Sequence, residues 1–207
     1  MKQLKTMLAM VVLAAAAGHG AHAAVENVEM DDRFCMTCHG VDGIGNEGIQ
    51  APRLAGMEPW YLKRQLEIFR DGIRGKHPQD LEGMEMQPMA AILTDESITD
   101  IVDWVGSWEY QAAEPTLTGD VIKGRNFYQT CISCHGDQAQ GNQAMNAPAL
   151  QGQNDWYLVT QLKNFKAGYR GADPEDRYGM QMRAMSGMLP DDQAIIDVVS
   201  YINTLGR

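Results

Sequence analysis

The chain has 207 residues, of which 44% are hydrophobic, enough to bury one or two cores and to argue against a disordered chain. Its 27 acidic and 17 basic residues give a net charge of −10 at pH 7. This acidity argues against binding of nucleic acid or anionic lipid, because both need clustered Lys and Arg. Four cysteines in this length are too few for a scaffold held together by disulfides.

The first 23 residues have the pattern of a secretory signal peptide. Lys2 and Lys5 form a basic start, residues 7–17 are an apolar run, and a small-x-small pattern predicts cleavage after Ala23. A retained membrane anchor is disfavoured, because the apolar run is short and is followed by Gly and His. We therefore expect an exported mature protein in an oxidising compartment, with at most peripheral membrane association.

Shifted by 96 residues, the sequence matches itself without a gap. The repeated features are a Cys-x-x-Cys-His-Gly motif, a Trp-Tyr-Leu segment, a Gly-x-Arg-Gly turn and three methionines. Two copies of about 90 residues indicate two small domains that arose by duplication. We place these domains at residues 24–112 and 113–207, with a joint where Glu114 and Pro115 interrupt any helix.

The two halves differ in charge. Residues 24–118 contain 18 acidic and 7 basic residues, whereas residues 119–207 contain 9 acidic and 8 basic ones. The first half therefore presents a strongly negative field, and we expect it to prefer a basic partner.

The first half is predicted to be helical. A short helical stretch at residues 31–34 leads into the cysteine motif, and a loop rich in Gly and Pro follows. Pro59 can begin a longer helix, whose apolar residues recur at helical spacing until Gly72 ends it. A methionine-containing loop then precedes a last helix that Thr94 can cap.

The second half repeats this plan. A helical stretch covers residues 122–130, Asn154 can cap the long helix, and Gly168 ends it. After a second methionine-containing loop, Pro190 opens the last helix. Neither half shows the period-two pattern of strands, so the sequence predicts an all-α fold of two tandem helical domains.

Each half carries one Cys-x-x-Cys-His motif, the attachment site of c-type haem. Two thiols three positions apart can reach the two vinyl groups of one porphyrin, and the adjacent imidazole can ligate the iron. The residues concerned are Cys35, Cys38 and His39 in the first half and Cys131, Cys134 and His135 in the second. We therefore expect two covalently bound haem c groups.

Three other uses of paired cysteines fit less well. Zinc sites usually place their cysteine pairs 15–20 residues apart, whereas each pair here belongs to its own repeat. A thioredoxin-like redox pair needs a βαβ unit, which the sequence does not predict. Two short structural disulfides would not require a histidine after both pairs.

Methionines are the candidates for the second axial ligand of each iron. Three of them survive the repeat in each half: Met84, Met86 and Met89, and their counterparts Met180, Met182 and Met185. A thioether opposite an imidazole is typical of high-potential electron carriers. Spacing alone does not choose among the three. His77 is interpreted as a surface histidine, because its counterpart is Asp173 and a repeated pair of histidine ligands is excluded.

With these motifs, the chain resembles dihaem cytochromes c of the cytochrome c4 type, in which two class I cytochrome c domains lie in tandem in the bacterial periplasm. The resemblance covers nearly all of the mature chain. It implies that Met86 and Met182 are the axial methionines, and that the carbonyl oxygens of Pro52 and Pro148 accept hydrogen bonds from the proximal histidines. It also implies that four aromatic side chains line the haem edge or bind a propionate, with an ordinary core role as the alternative: Trp60, Tyr61, Trp156 and Tyr157.

The resemblance implies a carrier of single electrons between respiratory redox partners, not an enzyme. The expected partners are redox proteins with a basic docking surface: a quinol-oxidising complex, a terminal oxidase or a periplasmic oxidoreductase. Two alternatives remain, namely a cytochrome subunit of a larger dehydrogenase or oxidase complex, and a dihaem peroxidase-like enzyme. The peroxidase needs one iron without a methionine ligand, and the near-identical methionine segments argue against it.

Overall fold

The computed structural model of the protein describes residues 33–206, which form α-helices and short 3-10 turns. The described residues contain no β-strand. Two isolated bridges, Asn46 with Ala51 and Asn142 with Ala147, close equivalent loops in the two halves. The predicted all-α fold of two tandem helical domains is confirmed.

Four helices of the described chain belong to the first half and five to the second. The first four are α1 (Arg33–His39), α2 (Pro59–Arg70), α3 (Leu81–Ala91) and α4 (Asp95–Gly106). The others are α5 (Val121–Tyr128), α6 (Ile132–His135), α7 (Asp155–Ala167), α8 (Arg177–Ser186) and α9 (Asp192–Ile202). Within residues 33–206, no helix combines the length and the apolar character that crossing a bilayer requires. The predicted signal peptide lies outside the described residues, and the boundary between residues 112 and 113 stays a prediction.

The long helices α2 and α7 begin and end as their sequences predict. Pro59 occupies the first turn of α2, and the helix ends at Arg70, just before Gly72. In the second half, α7 ends at Ala167, where Gly168 adopts the left-handed conformation with φ 78°. A residue with a Cβ would be strained there, so the glycine fixes the end of the helix.

The last helix of each half has a side-chain cap. Thr94 Oγ1 accepts a hydrogen bond from the Ser97 N–H at 3.1 Å and starts α4 as predicted. In the second half, the Asp191 carboxylate accepts from the Ala194 N–H at 2.8 Å. Pro190 therefore precedes the cap and does not open the helix itself.

Asn154 occupies the predicted N-cap position of α7, but its side chain forms no cap hydrogen bond. Its Oδ1 instead accepts from the Arg53 N–H at 2.7 Å, across the boundary between the halves. Nearby, Glu58 Oε1 accepts from the Ala149 N–H at 2.8 Å. These polar side chains at the starts of α2 and α7 fasten the two halves together.

The methionine segments are helices, and their prediction as loops was wrong. The methionines lie on α3 and α8, which pack against α2 and α7. Pro88 lies inside α3 and resembles a helix breaker in the sequence. The packing against α2 outweighs that local preference. In α8, the Asp176 carboxylate accepts from the Gly179 N–H at 2.8 Å and starts the helix.

Each half has its own apolar core. The first core lies mainly between α2 and α4, and its buried members are Leu54, Leu62, Leu66, Ile98, Ile101, Val102 and Val105. In the second core, α5 and α9 pack closely: a Cβ on Gly124 would meet the backbone carbonyl of Asp197. The absence of a side chain at Gly124 thus sets how near the two helices approach.

The segment that joins the halves is anchored to the second half by Asp155, which is 1% exposed. Its carboxylate accepts from the Thr116 N–H at 2.7 Å and hydroxyl at 2.8 Å, from the Leu117 N–H at 2.9 Å, and from Asn203 Nδ2 at 3.1 Å. This single side chain connects the joining segment to the start of α7 and to the end of α9.

Candidate functional site

The two predicted proximal histidines are held in the same way. His39 Nδ1 lies 2.7 Å from the carbonyl oxygen of Pro52, and His135 Nδ1 lies 2.8 Å from that of Pro148. Only a protonated Nδ1 can donate to a carbonyl, so Nε2 of each ring carries the free lone pair. Both rings are buried.

His135 Nε2 is buried and has no hydrogen-bond partner among the described residues. Such an atom normally finds a partner, and a metal ion supplies one to an imidazole. Burial lowers the pKa of both His39 and His135, although the bond to the proline carbonyl acts in the opposite direction. The net lowering of the pKa favours a neutral ring, and the bond to the proline carbonyl fixes the tautomer in which Nε2 is free to bind iron.

The four cysteines are free thiols in the structure. Burial raises the pKa of Cys35, with a smaller contribution from the neighbouring Cys38, and burial also raises the pKa of Cys131. No disulfide joins the two thiols of either motif, so each pair is available for two thioether bonds.

The second half contains a large cavity whose wall includes the Cys131 and Cys134 thiols and the His135 ring. The helices α7 and α9 and the segment between α8 and α9 contribute much of its apolar lining: Leu158, Leu162, Phe165, Val198, Ile202 and Leu189. An apolar slot with two thiols, an unpartnered imidazole nitrogen and methionine thioethers in its wall suits a porphyrin and its iron. The residues present therefore fit a covalently attached haem.

Residues of the first half close part of this cavity. Tyr61, Arg64 and Gln65 of α2 contribute to its wall, as does Arg53, which follows the proline that holds His39. The site of the second half thus extends to the boundary between the halves.

In the first half, one of the three candidate methionines is distinguished by packing. Met86 is half-buried and packs against the first core. Met84 and Met89 are 42% and 36% exposed. A ligand must reach the interior, which favours Met86.

In the second half, the structure narrows the choice to two methionines. Met182 and Met185 are half-buried and both line the cavity, whereas Met180 is 40% exposed and is not part of the wall. Of these two, Met182 is the counterpart of Met86.

The aromatic residues divide into two groups. Tyr61 and Tyr157 line the cavity of the second half. Trp60 and Trp156 are not in the described wall of that cavity; they pack edge-on against Tyr61 and Tyr157, with ring centroids 5.8 Å and 6.4 Å apart. The tyrosines are placed to meet a bound group, and the tryptophans support them.

A polar cluster between the halves was missed by the sequence analysis. Arg74 Nη1 and Nη2 donate to the side-chain oxygens of Gln65 and Gln161 at 2.7 and 3.0 Å. Arg170 Nη1 and Nη2 donate to the same two oxygens in the reverse order, at 2.6 Å to Gln161 and 2.9 Å to Gln65. We call these four side chains the arginine–glutamine bridge.

The bridge also reaches the two tyrosines. Arg170 Nη2 lies 3.2 Å from the Tyr61 hydroxyl, and Arg74 Nη2 lies 3.4 Å from the Tyr157 hydroxyl, so each arginine contacts the tyrosine of the other half. Both arginines are buried. In the sequence, the repeated Gly-x-Arg-Gly turn was the one sign that these arginines matter in both halves, but no residue near the turn indicates that the arginines are buried.

Comparisons with known proteins show the family to which the chain belongs. The model of the cytochrome c family matches residues 28–109 and again residues 121–206. The thiosulfate dehydrogenase electron acceptor of Stutzerimonas stutzeri is 34% identical over 185 residues, which cover 84% of this chain and 79% of that protein. Cytochrome c4 of Azotobacter vinelandii is 29% identical over 185 residues, which cover 83% of this chain and 84% of that protein.

Two solved structures have similar folds. Cytochrome c4 of Acidithiobacillus ferrooxidans superposes with a TM-score of 0.66 at 25% identity, over 83% of this chain and 98% of that one. The thiosulfate dehydrogenase (TsdBA) of Marichromatium purpuratum gives a TM-score of 0.66 at 33% identity, over 83% of this chain. The match spans 36% of the latter chain, so this protein corresponds to about a third of it.

Proposed function

The chain belongs to the cytochrome c family, and from this membership we propose that it is a periplasmic carrier that shuttles single electrons between respiratory redox partners. It carries two covalently bound haem c groups, on Cys35 and Cys38 and on Cys131 and Cys134. It is an electron carrier of the cytochrome c4 type and not an enzyme.

His39 with Met86, and His135 with Met182, are the proposed axial ligand pairs. The buried, unpartnered Nε2 of His135 is the observation that carries the assignment of the histidines, and the bond to Pro52 orients His39 in the same way. The half-buried positions of Met86 and Met182 on equivalent helices support it.

Bound haem supplies an iron that cycles between the ferrous and ferric states. The chain's own residues orient, enclose and tune it. Pro52 and Pro148 fix the imidazole orientation and raise its basicity as a ligand. The apolar walls exclude water, which favours a high reduction potential. With an imidazole and a thioether as its two protein ligands, a bound haem iron would have no open position for a substrate.

A spectroscopic redox titration of the mature protein tests this function. We expect two haems, both low-spin in both oxidation states, and a ferric spectrum with the far-red sulfur–iron band for both. Ready binding of carbon monoxide at both irons would contradict the proposed ligands and the carrier function together.

The exposed face of α4 supports a basic docking partner for the first half. It carries four exposed carboxylates: Asp95, Glu96, Asp100 and Asp103. Transient redox encounters use small polar interfaces, and complementary charge raises the association rate at low salt. We expect the rate of reduction or oxidation by the natural partner to fall as ionic strength rises.

Charge reversal tests this docking face. The double variant Asp100→Lys and Asp103→Lys is expected to lower the second-order rate with the partner about tenfold or more at low salt, and to flatten its salt dependence. Glu175→Lys, at an exposed site in the second half, serves as the control. Equal rates for the double variant and the control would rule out the first half as the docking side.

A second candidate function follows from one group of relatives. The protein from Stutzerimonas stutzeri and a second one from Thiomonas intermedia, 34% identical over 154 residues, are both thiosulfate dehydrogenase electron acceptors. Purified thiosulfate dehydrogenase with thiosulfate is expected to reduce this chain if that role applies here. No reduction by that enzyme, together with reduction by a quinol-oxidising complex, would support the general carrier.

A further inference from the structure

One contact between the halves occurs twice, with a different residue type each time. Arg64 on α2 donates from Nη1 and Nη2 to the side-chain oxygen and the carbonyl oxygen of Asn146, at 3.0 and 3.3 Å. At the equivalent position on α7, the Thr160 hydroxyl donates to Gln50 Oε1 at 3.4 Å. Gln50 is the repeat counterpart of Asn146, so a guanidinium on one side is replaced by a hydroxyl on the other.

Arg64 belongs to the site of the second half, although it comes from the first. It lines the cavity that contains His135 and Met182. Its guanidinium carbon lies 4.7 Å from the ring centroid of Tyr178, which is one turn before Met182 on α8. The charge of Arg64 is therefore held beside the second haem site.

The corresponding position in the first half has the opposite character. The counterpart of Tyr178 is Glu82, a half-buried carboxylate one turn before Met86 on α3. With Thr160 in place of Arg64, the first site lacks this cation and has an acid where the second has a neutral phenol.

Two pairs of buried charges occur in both halves and do not distinguish the sites. Arg74 corresponds to Arg170, and Asp80 corresponds to Asp176. Arg53, whose counterpart is Ala149, adjoins Pro52 and also lines the second cavity, so its charge acts on both sites. Arg64 is thus a half-buried cation in the wall of the second site, and its counterpart is the neutral Thr160. Two buried carboxylates, Asp155 and Asp197, also occur only in the second half, and both accept hydrogen bonds from backbone N–H groups of the joining segment and the start of α5.

Arg64 is charged at working pH. Burial lowers its pKa, whereas Tyr61 and Asp176 raise it, and an arginine side chain stays protonated in proteins. A fixed positive charge in a site of low polarity stabilises the reduced iron, which carries one positive charge fewer than the oxidised iron.

We propose that Arg64 raises the reduction potential of the haem of the second half, so that a single electron on the protein rests more in the second half than it would without this cation. The inference depends on haem attachment to both motifs and is independent of the donor and acceptor.

The central test is Arg64→Thr, which gives the first half the residue of its counterpart. Haem-resolved NMR at intermediate degrees of reduction reports how one electron divides between the two haems. We expect the ratio of second-half to first-half reduction to fall about threefold or more, where tenfold corresponds to 59 mV for one electron. Thr160→Arg is expected to lower the same ratio by stabilising the reduced first haem.

Two further variants separate charge from packing. Arg64→Lys keeps the cation but loses the two-pronged contact with Asn146, and is expected to retain most of the wild-type ratio. Arg70→Thr removes a cation from the same helix, where it pairs at the surface with Asp71 and Asp95, and is expected to leave the ratio unchanged.

The proposal is overturned if Arg64→Thr changes the ratio of second-half to first-half reduction no more than Arg70→Thr does. It is also overturned if Arg64→Lys lowers that ratio as much as Arg64→Thr does. The NMR measurement uses no natural partner. If the proposed carrier function between respiratory partners proves wrong, the measured effect of Arg64 on the two haems still stands. Failure of the proposed function and failure of the role of Arg64 can therefore be told apart.

Discussion

Each proximal imidazole is tied to a carbonyl oxygen 13 positions further along the chain. That bond closes the loop between the histidine and the proline and fixes which ring nitrogen is free. A side chain exposed to solvent would rotate, whereas His39 and His135 present Nε2 in one direction. The orientation therefore comes from the fold, before any group is attached.

The choice between the two cavity-lining methionines can be tested directly. Met182→Leu is expected to remove the sulfur–iron band of one haem and to lower its potential by on the order of 0.1 V or more, because a thioether ligand favours the ferrous state. Met185→Leu, from the same helix and cavity, is the control and should keep the band. Loss of the band in Met185→Leu alone would assign the ligand to that residue.

At the scale of elements, the close crossing of α5 and α9 depends on a missing side chain. Gly124→Ala would force a Cβ against the Asp197 carbonyl and is expected to destabilise the protein by about 1–3 kcal/mol through overpacking. Gly106→Ala, in α4, has no atom within 4 Å of the added Cβ and is expected to be neutral or slightly stabilising. Urea unfolding of both variants measures the difference; equal stabilities would refute the packing argument.

The joining segment depends on the charge of Asp155. Burial alone would raise the pKa of this carboxyl, but the hydrogen bonds from Leu117, Thr116 and Asn203 together lower it. The folded pKa is thus below the unfolded value of about 3.9. The stabilisation is present above that value and is lost as pH falls through the lower folded pKa.

Asp155→Asn is therefore expected to cost about 2 kcal/mol at pH 7, since buried N–H donors lose their charged acceptor. The difference from wild type should shrink as the pH falls below about 4. Unfolding measured across this range checks both statements, with the exposed Asp137→Asn as control. A penalty that stays constant into the acid range would show that the carboxylate charge is not what anchors the segment.

At the scale of the whole molecule, the arginine–glutamine bridge joins the two halves through buried polar groups. Gln161→Leu removes an oxygen that accepts from both Arg74 and Arg170. We expect a loss of about 2–4 kcal/mol and a separation of thermal unfolding into two transitions, because two buried guanidiniums lose an acceptor. Gln129→Leu, at an exposed site, should change neither. One unbroken transition in Gln161→Leu would mean that other contacts hold the halves together.

Features that depend on residues close together in the sequence could be predicted, and features that depend on contacts between distant residues could not. The Cys-x-x-Cys-His motifs and the repeat are local patterns, so the haem sites and the all-α pair of domains followed from them. The helical state of α3 was hidden by Pro88, whose local effect is overcome by packing on α2. The burial of Arg74 and Arg170 could not be predicted, because each pairs with side chains of the other half that lie more than 80 positions away, in addition to the glutamine nine positions before it.

Tyr61, Arg64 and Gln65 of the first half form part of the cavity wall of the second half, so the second domain depends on the first to enclose its site. After the duplication, the second copy could use the surface of the first copy as one wall of its pocket. A second domain expressed by itself would open one side of its pocket to water, with a lower potential and easier oxidation. The ancestral single-domain unit therefore cannot be recovered by cutting the chain; its exposed side would have to be rebuilt.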